Sequence, residues 1–120
     1  VKRSTIGHVA TALLRQIEAL VRIDGQDREK TILIIEDVEA IDWASLTFVG
    51  QRHVLELRIE GEKDAVAAAL ARIETGLPEL EVSIPGHFVA ELRAEARPVA
   101  DTEIIGLVRS LRVEALVLRD

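Results

Sequence analysis

The segment "HVLELRIEG", residues 53–61, constrains the fold more than any other stretch of the chain. Leu55, Leu57 and Ile59 alternate with Glu56, Arg58 and Glu60. Successive side chains of a β-strand point to opposite faces, so the pattern describes a strand with one dry face and one wet face. Such a strand belongs to a sheet that is covered on one side only.

The covering layer is readable too. Over residues 4–22, Ile6, Val9, Ala10, Leu13, Leu14, Ile17, Leu20 and Val21 keep the i, i+3, i+4, i+7 spacing of one helical face. Ser4 or Thr5 is the expected N-cap, Glu18 and Arg22 form an i, i+4 pair, and Asp24-Gly25 ends the helix. A second helix is expected over about 62–75, with Val66, Leu70 and Ile73 on one side and alanines that allow close approach to the sheet. Gly76 is expected in a left-handed conformation just past its end. Leu77 would then fold back over Ile73, and Pro78 forbids continuation.

Further strands complete the sheet. "TILII" (31–35) reads as a strand buried on both faces, and the carboxylates of "EDVEAID" (Glu36, Asp37, Glu39, Asp42) as a solvated connection after it. Leu46 and Phe48 have the opposite parity to Leu55. A two-residue loop at Gly50-Gln51 resolves this, pairing Val49 with Arg52, Phe48 with His53 and Leu46 with Leu55. A bulge at Gly50 within one long strand restores the phase equally well, and the hairpin is the preferred reading. "LEVSI" (80–84), "FVAELRAEA" (88–96) and the closing "SLRVEALVLRD" read as strands. Pro85-Gly86 makes a turn, Pro98 to Asp101 a break, and residues 102–110 fit a strand extension or a helical turn.

The resulting order, α-ββ-α-β-ββ, predicts one α+β domain over residues 1–120. Its sheet is mainly antiparallel, with five to six strands and two helices on one face. The α-ββ-α-β part has the order of a ferredoxin-like βαββαβ plait lacking its first strand. A C-terminal strand, from the same chain or from a partner, would fill that vacancy.

Composition narrows the function classes. Hydrophobic residues make up 48% of 120, enough for a core, and with 2% aromatics and no Met that core is Leu, Ile, Val and Ala. The absence of Cys excludes disulfides and thiolate metal sites. A net charge of −6 and the scarcity of aromatics leave neither a basic stripe nor a stacking platform, so nucleic acid is not an expected partner. No apolar run approaches the roughly 18 to 20 residues that span a bilayer. The opening "VKRSTIGHVA" has no signal-peptide core, so a cytoplasmic protein outside the membrane is expected.

Arg52 and His53 stand side by side. As an active site, His53 would be a general acid or base tuned by Glu36 or Asp42. As structure, Arg52 is the wet end of a hairpin, and His53 faces Phe48 at the core margin with a hydrogen bond to backbone or carboxylate. Neighbours in a strand point to opposite faces, and two adjacent residues form no catalytic constellation, which favours the structural reading. His8, His53 and His87 lack the spacing of a helical ligand pair, and the carboxylates lack that of a calcium loop, so no metal is expected. Without a phosphate loop or a nucleophile elbow, no cofactor is expected either. Trp43, the single Trp, reads as a core anchor or an interface anchor, and with Phe48 it makes the candidate binding surface.

The box "WASLTFVGQRH" (43–53), with "IPGHFVAE" further on, resembles a W-A-S-x-T-F-x-G-x-R-H box of short uncharacterised bacterial α+β proteins. The resemblance implies no activity and no ligand. The expected function is that of a small non-enzymatic domain acting through self-association or partner binding. Many strands with two helices leave sheet uncovered, a bare patch marks an interface, and a two-fold dimer is the simplest closed arrangement. The alternatives are a sensor-type module that binds a small ligand at a protomer interface, and a small acid–base enzyme using His53 with an acidic neighbour.

Overall fold

A computed structural model describes residues 7–22, 31–97 and 107–120. Its elements are α1 (His8–Val21), β1 (Thr31–Ala44), β2 (Val49–Gly61), α2 (Lys63–Gly76), a 3-10 turn (Leu77–Glu79), β3 (His87–Ala96) and β4 (Leu107–Arg119). The strands form one antiparallel sheet in the order β1-β2-β4-β3. The α+β class, the antiparallel sheet and the two helices agree with expectation. The described residues give four strands, where five to six were expected.

One cause is that "TILII", "EDVEAID" and the start of the Trp43 box are a single strand. β1 pairs with β2 from Thr31 opposite Gly61 to Ala44 opposite Val49, with a bulge between Ile35 and Asp37. The extra residue shifts the phase, so that Leu33 and Ile35 share a face with Val38 and Ala40. β1 is an edge strand and is not buried on both faces: Ile32 is 60% exposed. The carboxylates expected in a loop are strand residues. Charge on an edge is a known guard against pairing with another chain.

The hairpin loop therefore lies at residues 45–48 and not at Gly50-Gln51. Ser45 N–H donates to Phe48 O (2.8 Å), and Phe48 N–H donates to Ser45 Oγ (3.1 Å). Arg52 and His53 stand opposite Ile41 and Ala40, not opposite Val49 and Phe48.

The other cause is that residues 80–84 form no strand. Only Ile84 bridges to His87, across the expected Pro85-Gly86 turn. Gly86 there has φ 75°, a conformation other residues adopt only at a cost. Residues 107–110 belong to β4, while Pro98 to Asp101 and the rest of the ambiguous stretch lie outside the described residues.

The core lies between the helices and one sheet face. Leu55, Leu57 and Ile59 of β2 and Leu111, Val113, Ala115 and Val117 of β4 form the floor. Leu13, Ile17 and Val21 of α1 and Val66, Leu70 and Ile73 of α2 close it from above. Burying each large aliphatic side chain stabilises by about 1.5–3 kcal/mol relative to exposure. Gly7 is the N-cap of α1, without a side-chain bond; Ser4, Thr5 and Asp24-Gly25 lie outside the described residues. The Glu18–Arg22 ion pair forms, and Arg22 also donates to Thr31 O (3.1 Å), tying α1 to β1.

Gly76 departs from expectation. Its φ of −89° and ψ of −31° are right-handed, and the helix runs on into the 3-10 turn that contains Pro78. The glycine serves packing instead: a Cβ there would meet Leu20 Cδ2 at 2.7 Å. The tip of a leucine can yield, and Ala is the better helix former by about 1 kcal/mol. Gly76→Ala is therefore expected to change stability by less than about 1 kcal/mol, the two terms opposing each other. Urea melts measure this, and a large loss would show that Leu20 cannot move.

Candidate functional site

The hairpin end of the sheet differs on its two faces, and each face holds sequence-predicted residues. On the face away from the helices, the registers align rows across four strands. The first is Trp43, Gly50, Leu118 and Phe88; the second is Ile41, Arg52, Leu116 and Glu91. Then follow Glu39, Val54, Glu114 and Arg93, and then Asp37, Glu56, Arg112 and Glu95.

The first row is apolar, and the second and third each add a buried apolar residue beside it. Val54, Leu116 and Leu118 are buried although they stand on the helix-free face. Phe48 and Phe88 meet edge to face with centroids 5.6 Å apart, a favourable ring geometry. The single Trp and both Phe thus gather at one end. Trp43 is half-buried, Phe48 and Ile41 are exposed, and Leu46 on the loop is fully exposed.

From the second row on, charged residues pair across the strands. Arg52 meets Glu91 at 3.3 Å, Arg97 meets Glu56 at 3.3 Å, and Arg93 Nε donates to Glu114 at 2.8 Å. The hydrogen bond and charge of Arg93 hold the Glu114 carboxyl below its ordinary range, with smaller help from Arg112 and Arg52. Exposed pairs of this kind contribute only about 0–1 kcal/mol each, so they mark wet surface more than they stabilise.

The helix side of the same end is concave. A cleft of about 360 Å³ lies between the first turn of α1 and the strand ends, with Val9, Asp42, Gln51, His53, His87 and Arg119 among its walls. His53 is 5% exposed and its Nδ1 has no hydrogen-bond partner, so the expected bond to backbone or carboxylate is not made. Burial, and then the nearby His87, hold its pKa below the ordinary imidazole value. His87 Nδ1 donates to Pro85 O (2.9 Å), and the His8 ring lies 6.2 Å from that of His87. The fold thus brings three histidines to one end of the molecule, which their spacing did not reveal.

The two carboxylates considered as partners of His53 separate. Asp42 lines the cleft, where it accepts from Gln51 Nε2 (3.2 Å), while Glu36 pairs with Arg58. Arg52 lies across the sheet from His53, bound to Glu91, so the two cannot act on one atom. Among the described residues, no group of three or more His, Asp or Glu is placed to hold a metal ion. No described helix is long and apolar enough to cross a membrane.

His53 gives a pH prediction. Its folded pKa is depressed, so the folded protein resists taking up a proton that the unfolded chain accepts. The stability this contributes is present above the unfolded value of about 6.5 and is lost as pH falls from there through the folded value. Urea melts between pH 7.5 and pH 5 are expected to show falling stability that His53→Gln flattens. An unchanged slope in the variant would assign the fall to other groups.

No protein-family model matches the chain, and no curated protein matches it. Among solved structures, it resembles a chain of the virion of a native gene transfer agent particle. The TM-score is 0.64 at 18% identity, over 94% of this chain and 99% of that one. At that identity the likeness is one of fold.

Proposed function

We propose that this protein is a structural subunit that works by associating with further copies of itself. The observation that carries the reading is the end-to-end likeness to a chain of a gene transfer agent virion, a multi-subunit particle, which leaves almost none of either chain unmatched. The helix-free sheet face supports it. That face places Trp43, Phe48 and Phe88, anchors of the type enriched at binding hot spots, beside an ionic field of both signs. A surface with apolar and mixed-charge zones side by side can pair with a second copy about a two-fold axis. We also read the sheet order as a ferredoxin-like plait whose missing first strand is supplied by β4, because β4 lies between β2 and β3 and is antiparallel to both.

Sedimentation velocity across micromolar to millimolar concentration tests the reading. A mass above that of one chain is expected. Phe48→Glu changes an exposed ring and is expected to raise the dissociation constant about 30-fold, the 2 kcal/mol of a hot-spot residue, with the circular dichroism melt unchanged. A monomer mass throughout the range would overturn it.

A further inference from the structure

We propose that the outer edge of β3 pairs with the same edge of a second copy about a two-fold axis, joining two sheets into one. The inference rests on the self-association read above and names a second surface for it.

The sheet has two edges, β1 and β3, and their charges differ. β1 carries Glu36, Asp37, Glu39 and Asp42 and neither Lys nor Arg, so two β1 edges repel each other. The later part of β3 and the residue after it read "ELRAEAR", Glu91 to Arg97, with charges that change sign at every second residue. Apart from the isolated bridge between Ile84 and His87 at its start, β3 pairs only with β4 among the described residues.

The backbone phase decides which groups that edge offers. Arg97 N–H donates to Ser110 O of β4 (2.9 Å). In an antiparallel ladder every second residue turns its amide and carbonyl to the same neighbour. Glu91, Arg93 and Glu95 share the phase of Arg97, since the bulge lies before them, between Val89 and Glu91. Leu92, Ala94 and Ala96 therefore turn their amides and carbonyls outward. An open row of this kind is a template for another strand.

Charge then selects one register. With Ala94 opposite Ala94 of the second copy, outward backbone groups meet outward backbone groups, and Leu92 stands opposite Ala96, large against small. Glu91 falls opposite Arg97 of the second copy, and Arg93 opposite its Glu95. These are the positions without backbone hydrogen bonds, where side chains come closest. A slip of two residues one way sets Arg93 against Arg93 and Glu91 against Glu95. A slip of two the other way sets Glu95 against Glu95 and Arg93 against Arg97. A slip of one reverses the faces. More than half of the side-chain surface of Glu91, Arg93 and Arg97 is exposed, so each can reach a second partner beyond Arg52, Glu114 and Glu56.

The first test is Ala94→Cys in the full chain, which has no other Cys. Residues in a hydrogen-bonded antiparallel pair have Cα atoms about 5.5 Å apart, within reach of a disulfide. Oxidation with copper phenanthroline is expected to link this variant into a covalent dimer at least tenfold faster than Ala90→Cys. Ala90 is exposed, and the register leaves it about 25 Å from its copy, eight residues at the rise of a strand. The second test uses Arg93→Glu and Glu95→Arg, each of which sets like charges opposite one another on both sides of the axis. Either alone is expected to raise the dissociation constant about tenfold by sedimentation velocity, with a cooperative melt retained. An equal mixture of the two is expected to associate nearly as tightly as the wild type, because opposite charges meet again only between unlike variants. A wild type that associates while Ala94→Cys links no faster than Ala90→Cys, or a mixture no tighter than either variant alone, would overturn the pairing of β3 and leave self-association standing. A wild type that stays monomeric at every concentration would overturn both.

Discussion

Gly50→Ala is expected to destabilise the protein by about 3 kcal/mol, the upper part of the usual range for forcing an extra group into a packed site. Gly50 lies inside β2, flanked by Trp43 on β1 and Leu118 on β4. A Cβ built there would stand 2.1 Å from Val117 O and 2.8 Å from Leu118 Cα, both backbone atoms, and 2.9 Å from Leu118 Cδ2. A side-chain tip can rotate away, but a backbone cannot without opening the ladder beside it. That ladder holds His53 opposite Ala115 and Leu55 opposite Val113, so the strain would pass directly into the core. A glycine within a strand often marks such a close approach of another backbone. Urea melts are expected to show a lower midpoint at unchanged m-value. A loss below about 1 kcal/mol, the size expected if Gly50 sat in an exposed turn, would mean that β2 and β4 separate more easily there than their register implies.

That glycine also shows where the sequence was legible and where it was not. The alternation of Leu55, Leu57 and Ile59 placed β2 correctly, and helical periodicity placed α1 and α2 to within a few residues, because burial on one face writes itself into the pattern. The hairpin was misplaced because its true loop, residues 45–48, contains no Gly, Pro, Asn or Asp. It is closed by Ser45 alone, while Gly50 nearby looked like the turn residue. The bulge after Ile35 hid β1 for a similar reason: one added residue inverts the parity, and a long strand then reads as a strand followed by an acidic loop. Gly76 matched a helix-end signal, yet its lack of a side chain serves Leu20. The cleft was the least legible part. His8, His53 and His87 belong to three different elements, and only the pairing of β3 with β4 and the placement of α1 bring them together.

Arg72→Leu is expected to cost about 2 kcal/mol, the range for hydrogen bonds to a charged group. The last carbonyls of any helix lack intrahelical partners, and a cation there also meets the negative end of the dipole. α1 carries no basic residue in its own last turn. Arg72, from the middle of α2, donates instead through Nε to Leu20 O (2.9 Å) and through a terminal nitrogen to Val21 O (2.7 Å). One planar guanidinium thus caps one helix from another and fixes how the two pack. Leucine at 72 would keep much of the apolar stem and still leave both carbonyls without these donors. Lysine would keep the charge and lose the two-pronged geometry, so Arg72→Lys is expected to recover only part of the loss. Denaturant melts give the size of the effect. Amide exchange locates it, with protection expected to fall at the end of α1 before it falls in β2 and β4. A leucine variant as stable as the wild type would show that solvent or another donor satisfies Leu20 and Val21, and that the helix pair is held by its apolar contacts alone.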